Sequence, residues 1–153
     1  MQSLIALYVC TYVRTIVEYA SVVWSTHNDN VELLKSVESV QRRFTKRLPG
    51  CGQLSYSGRL AKLKMDSLEL RSLKADLTYA YKILFGLIYV SCADMFLVCN
   101  SKTRGHNYNM KLSVQYSRID VRKFFFSNRV VQPWNSLKVQ PADFSSVRCF
   151  NRF

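Results

Sequence analysis

The ten carboxylates of this 153-residue chain are scattered so that no two are adjacent, which removes the simplest arrangement for holding a pair of divalent ions. Two-metal phosphoryl and nucleotidyl transfer uses clustered carboxylates, because the metals activate an attacking oxygen and stabilise the leaving group together. The nearest approach is Cys92-Ala93-Asp94-Met95, where Met95 stands at the place a second acid would need. No catalytic residue, metal ligand or cofactor is therefore expected. His27 and Asp29 lie near serines, but a hydrolytic triad needs spatial convergence and an oxyanion site that this spacing does not provide. Gly50-Cys51-Gly52 lacks the lysine and hydroxyl residue of a phosphate loop, and His106 after Arg104-Gly105 fits an exposed turn better than a metal ligand. Cys10, Cys51, Cys92, Cys99 and Cys149 form no C-x-x-C pair and no zinc spacing with histidine, as suits reduced thiols in a cytoplasmic or nuclear protein.

What the sequence does carry is positive charge. The formal net charge is +12, and it is unevenly placed: residues 1–40 hold two basic and four acidic groups (−2), residues 41–153 twenty basic and six acidic (+14). Such a balance suits a polyanionic partner, either nucleic acid or an anionic membrane surface, engaged by the part beyond residue 40. The candidates for phosphate contact are Arg42, Arg43, Lys46 and Arg47 in one run, and Arg118, Arg122 and Arg129 as a second basic cluster. A hydrophobic share of 48% is enough for one domain with a core or two small subdomains.

The elements that would position these cations are helices. Leu4, Leu7, Tyr8, Val13, Ile16, Val17 and Ala20 recur mostly at three- and four-residue steps, with Arg14 and Glu18 four apart and able to pair. The same segment has no basic leader or cleavage site, and Arg14 and Glu18 interrupt it, so neither a signal peptide nor a membrane span is expected. A second helix starts near Asn28 or Asp29 and ends at Pro49-Gly50. Its apolar stripe is Leu33, Val37, Val40, Phe44 and Leu48; Lys35, Arg42 and Lys46 lie opposite, with Arg43 and Arg47 on one shoulder. A short helix over Tyr56–Leu63 follows, then a longer one with Asp66 and Glu69 as a capping box and Gly86 as its terminating glycine. Tyr79 and Tyr81 on that helix read as core aromatics rather than base-stacking ones. Beyond it come a connector with a helical turn near Asp94–Val98, a loop and short strand or hairpin over 101–116, a helix through Phe125–Leu137 kinked or ended at Pro133, and a final short helix capped by Ser145 or Ser146. The fold class expected is mainly α: a small helical bundle over 1–86, then a connector and a small mixed α/β or helical C-terminal subdomain over 87–153.

Several of these stretches, in this order, resemble a known family. Leu7, Tyr8, Val13, Arg14, Glu18-Tyr19-Ala20-Ser21 and Trp24, then Val40-Gln41-Arg42-Arg43 with Thr45-Lys46 and Pro49-Gly50, then Leu54-Ser55-Tyr56 with Arg59-Leu60, cover the first part. Leu68-Glu69 with Arg71, Asp76-Leu77, and Tyr81-Lys82-Ile83-Leu84 with Gly86 cover the long helix. Thr103-Arg104-Gly105-His106, Ser117-Arg118 with Asp120-Val121-Arg122, Phe125-Phe126-Ser127 with Arg129-Val130-Val131, and Pro133-Trp134-Asn135-Ser136-Leu137 cover the rest. This succession resembles the region downstream of the palm in the reverse transcriptases of non-LTR retrotransposons of the jockey-like LINE kind.

The resemblance implies a thumb region and the segment after it, gripping an RNA template annealed to a DNA primer while a palm absent from this chain does the polymerase chemistry with Mg²⁺. It also implies a truncated or degenerate open reading frame that begins at an internal methionine, and no enzymatic activity for the isolated chain. Two departures stand out: members of that family usually have a Gly-Leu-Pro-like turn where this chain reads Lys64-Met65-Asp66, and a proline where it has Lys138. Two other classes fit the composition, a self-associating or protein-interaction remnant and a basic membrane-surface protein.

Overall fold

The computed structural model describes residues 14–19, 31–99, 110–137 and 144–151. It is mainly helical, with one small two-stranded sheet. In chain order the elements are α1 (Arg14–Glu18), α2 (Val31–Lys46), α3 (Tyr56–Leu63), α4 (Leu68–Leu84), α5 (Cys92–Met95), β1 (Leu97–Cys99), β2 (Lys111–Ser113), α6 (Asp120–Lys123), α7 (Phe126–Arg129), α8 (Val131–Ser136) and α9 (Val147–Phe150). Among the described residues no helix is long and apolar enough to cross a membrane. The expected cap of α2 at Asn28 or Asp29 and the loop over 101–109 lie outside the described residues.

Contacts divide the chain into two compact units, Met1–Leu73 and Lys74–Phe153. The division falls inside α4, upstream of the boundary at Gly86 read from the sequence, because the second half of α4 supplies buried residues to the second unit. These are Asp76, Leu77, Ala80, Tyr81 and Ile83.

In the first unit, α2 and α3 pack through a polar seam. Gln41 and Thr45 are buried on α2, whereas Val40, placed on the predicted apolar stripe, is 50% exposed. The buried face therefore runs through Gln41, Thr45 and Leu48, a four- and three-residue spacing that hydropathy alone misses because two of its members are polar. Each polar member has partners. The Gln41 amide donates to the Tyr56 hydroxyl at 3.0 Å and the Asp66 carbonyl at 3.3 Å, and Thr45 Oγ1 accepts from Arg59 Nε at 3.2 Å. Burial costs little once such groups are paired.

Helix ends in this unit follow identifiable chemistry. Ser55 caps α3 by accepting from the Gly58 N–H at 3.2 Å. At the other end the N–H of Met65 donates to the Leu60 carbonyl and that of Lys64 to the Ala61 carbonyl, the paired bonds of a Schellman motif, with Lys64 in the left-handed conformation at φ 52°. Helix α4 starts differently from the expected capping box. Ser67, not Asp66, is the cap, its hydroxyl accepting from Leu70 N–H at 3.2 Å, and Glu38 of α2 accepts from the Leu68 N–H at 3.0 Å. An anion from another helix thus joins Glu69, which lies in the first turn, at the N-terminus of α4. The helix ends as expected: Gly86, at φ 65°, donates to Ile83 and Leu87 to Lys82, a second Schellman motif.

The second unit is built on aromatic packing. Tyr81 stacks on Phe85 and Phe150 with ring centroids 4.4 and 4.8 Å away, Trp134 lies 5.8 Å from Phe144, and the Tyr81 hydroxyl donates to the Phe144 carbonyl at 2.8 Å. Tyr79 contacts Phe126 edge-on at 5.4 Å and is half-buried, whereas Tyr81 is a core residue. The helical turn predicted near Asp94–Val98 is confined to Cys92–Met95, and the chain continues as β1, pairing antiparallel with β2 in the register Val98↔Leu112. The segment Phe125–Leu137 forms two short helices, with Pro133 in the first turn of α8, where its missing N–H costs nothing. Ser146 caps α9 through the Cys149 N–H.

One side chain of α8 completes the sheet. Asn135 Oδ1 accepts from the Leu112 N–H at 3.0 Å and its Nδ2 donates to the Leu112 carbonyl at 2.8 Å, while Trp134 Nε1 donates to the Met110 carbonyl at 3.0 Å. Asn135 covers part of the edge that β2 would otherwise leave open.

Candidate nucleic-acid-binding surface

Helix α2 delivers its cations late. Arg42, Arg43 and Lys46 are exposed on its last turns, and Arg47 is exposed in the turn that follows. Arg42 and Lys46 are one turn apart, about 6 Å along the axis, and share a side of the helix. Among the described residues, Arg42 alone of these four has an aromatic support: its guanidinium sits 4.9 Å from the centroid of the Tyr56 ring on α3. Tyr56 is held in turn, because its hydroxyl donates to Glu38 and accepts from Gln41. Burial first, and then the Glu38 hydrogen bond, push the Tyr56 hydroxyl up to about 12 from its ordinary 10.0.

A further cation belongs to this surface and was missed from sequence. Lys62 of α3 donates to the Gly50 carbonyl at 2.8 Å, bringing its ammonium to the turn after Arg47. Its lysine-on-helix setting gave no signal, since the contact joins residues twelve apart. Beneath the surface lies Arg59, 6% exposed, whose guanidinium donates to Thr45 Oγ1 and to the Leu54 and Arg42 carbonyls. Among the described residues its acceptors are neutral, so its charge adds to the positive potential of the end of α2.

The second expected cluster loses one of its three members to the interior. Arg118 and Arg122 are exposed, as is Lys123 beside them. Arg129 turns inward: its side chain is 4% exposed and that of Asp76 1%, and the two form a bidentate pair with both N–O distances 3.0 Å. A guanidinium committed in that way is a structural cation, so Arg129 is withdrawn from the phosphate-contacting set. Asp76 and Arg129 are 53 residues apart, and nothing in local spacing announced the pair.

Glu18 is likewise taken by a distant partner, Arg71 of α4, through Nε–Oε1 at 2.5 Å and Nη2–Oε2 at 2.6 Å; the side chain of Arg14, its expected partner, lies outside those described. Cys51, Cys92 and Cys99 are free thiols, and burial pushes Cys92 above its ordinary value. Among the described residues no group of three or more His, Cys, Asp or Glu side chains is placed to hold a metal ion. Compared with protein-family models, with curated proteins and with solved structures, the chain matches none.

Proposed function

We propose that this chain corresponds to the part of a non-LTR retrotransposon RNA-directed DNA polymerase that follows the palm, and that the end of α2 contacts the phosphates of an RNA template paired with a DNA primer. One observation carries the reading. Residues quoted for the resemblance from separate stretches pair with one another in the fold: Glu18 with Arg71, Gln41 with Tyr56, Thr45 with Arg59, and Asp76 with Arg129. A pattern whose members are mutual partners over as many as 53 residues encodes a fold rather than a composition. Lys64 adds support. It occupies the left-handed conformation that glycine takes most readily, at the place where that family usually carries its Gly-Leu-Pro-like turn.

On this reading the polymerase chemistry belongs to a palm elsewhere, and the chain supplies grip through phosphate contacts that carry no base information. A labelled RNA/DNA hybrid duplex titrated with the protein should bind in a salt-sensitive way, and anionic vesicles should not; the reverse result would replace the reading with a membrane-surface one. The protein alone should extend no primer with Mg²⁺ and nucleotides, and template-dependent incorporation lost in Asp94→Asn would contradict the assignment of chemistry.

A second reading is favoured by the apolar side chains left in solvent on the second unit. Leu87, Tyr89, Leu97, Val114, Tyr116, Ile119 and Phe125 are all more than half exposed. Exposure of this kind accompanies surfaces that self-associate or meet another protein. Elution as a monomer at all concentrations would remove that reading.

A further inference from the structure

The cations of α2 are not equivalent, although all four are exposed. Arg43, Lys46 and Arg47 rest on no aromatic ring among the described residues, whereas Arg42 lies 4.9 Å above that of Tyr56. Arg42 also makes no ion pair among the described residues, so its charge is oriented without being neutralised. The ring beneath it is anchored on two sides of the hydroxyl, by Glu38 and by Gln41, and Glu38 is itself fixed by the N-terminal Leu68 N–H of α4. A guanidinium resting over a ring keeps its N–H donors directed outward in its own plane, free to point at an oxyanion, and forfeits less freedom when it binds one.

We infer that Tyr56 is a positioning residue, whose anchored ring holds the Arg42 guanidinium ready for a phosphate oxygen. The inference rests on the reading that the end of α2 contacts phosphate. It separates two properties of that surface. The number of cations sets how steeply affinity falls with salt, and the stack sets how much each contact yields at fixed salt.

The test is a double-mutant cycle on the whole chain, with an RNA/DNA hybrid duplex as probe and affinity followed by fluorescence anisotropy across salt. Tyr56→Leu should lower affinity roughly three- to tenfold with the salt slope unchanged, since no charge is removed. Tyr56→Phe keeps the ring but removes the hydroxyl anchored by Glu38 and Gln41, and should give a loss smaller than that of Tyr56→Leu, again with the salt slope unchanged. In an Arg42→Gln background, Tyr56→Leu should have no further effect. Arg42→Lys, at an exposed position where folding is not at stake, keeps the charge but not the planar stack and should reproduce the loss of Tyr56→Leu. Equal loss on Tyr56→Leu with and without Arg42, or parent-like binding by Arg42→Lys, would overturn the inference while leaving phosphate contact standing. Absence of salt-dependent binding by the parent chain would remove the phosphate reading and this inference with it.

Discussion

Asp76 and Arg129 carry opposite charges where neither side chain reaches water, and each is indispensable only while the other remains. Replacing Asp76 by Ala leaves a buried guanidinium without its carboxylate and should cost about 3–5 kcal/mol in urea unfolding, whereas the double change Asp76→Leu with Arg129→Met should recover most of it. A single variant of near-parental stability would show that Arg129 reaches solvent, and would return it to the phosphate-contacting set. Tyr56 makes a different statement about pH. Its hydroxyl is raised from 10.0 to about 12, so the folded state favours the neutral phenol. The stability this contributes is fully present below pH 10 and is lost as pH rises through 12. Tyr56→Phe should therefore show a shallower loss of stability over that window than the parent, and identical base denaturation curves would contradict the Glu38–Tyr56 anchor. Neither pair was legible in the sequence. Long-range partners leave no periodic trace, and a basic residue two positions from a hydrophobic one reads the same whether it faces solvent or a buried acid.

At the scale of elements, the sequence was most informative where local chemistry decides the outcome. The run Tyr56–Leu63 gave α3 its bounds, Gly86 marked the end of α4, and of the two serines read as caps of the last helix, Ser145 and Ser146, it is Ser146 that caps α9. It was least informative where tertiary partners intervene. Ser67 takes the cap position of α4 and Glu38 reaches from α2 to its first N–H, and Gln41 and Thr45 are buried because α3 supplies hydrogen-bonding partners. Strand β1 follows the short turn of α5 because β2 pairs with it, a contact made from beyond residue 109. Lys64 offers a test of the helix-end account. A side chain in the left-handed region is strained by roughly 1 kcal/mol, so Lys64→Gly should stabilise the chain by about 0.5–1 kcal/mol after the extra flexibility of glycine in the unfolded state is deducted. Destabilisation on that change would mean that the Lys64 side chain makes a contact worth more than the strain.

For the molecule as a whole, charge and function are tied through the uneven distribution of cations. The net charge of +12 suits any polyanion, but the exposed group Arg42, Arg43, Lys46 and Arg47, joined by Lys62, concentrates it at the end of one helix in the first unit. The most direct test of the central claim is the salt dependence of binding to an RNA/DNA hybrid duplex, measured for the parent chain and for the triple variant Arg42→Gln, Arg43→Gln, Lys46→Gln. With three to five phosphates neutralised, log affinity should fall against log salt with a slope of roughly −3 to −4. The triple variant should bind every sequence more weakly and lose about one unit of slope per contact removed. Parental affinity and an unchanged slope in the triple variant would show that the end of α2 is a solvated face and would contradict its assignment as the phosphate-gripping surface.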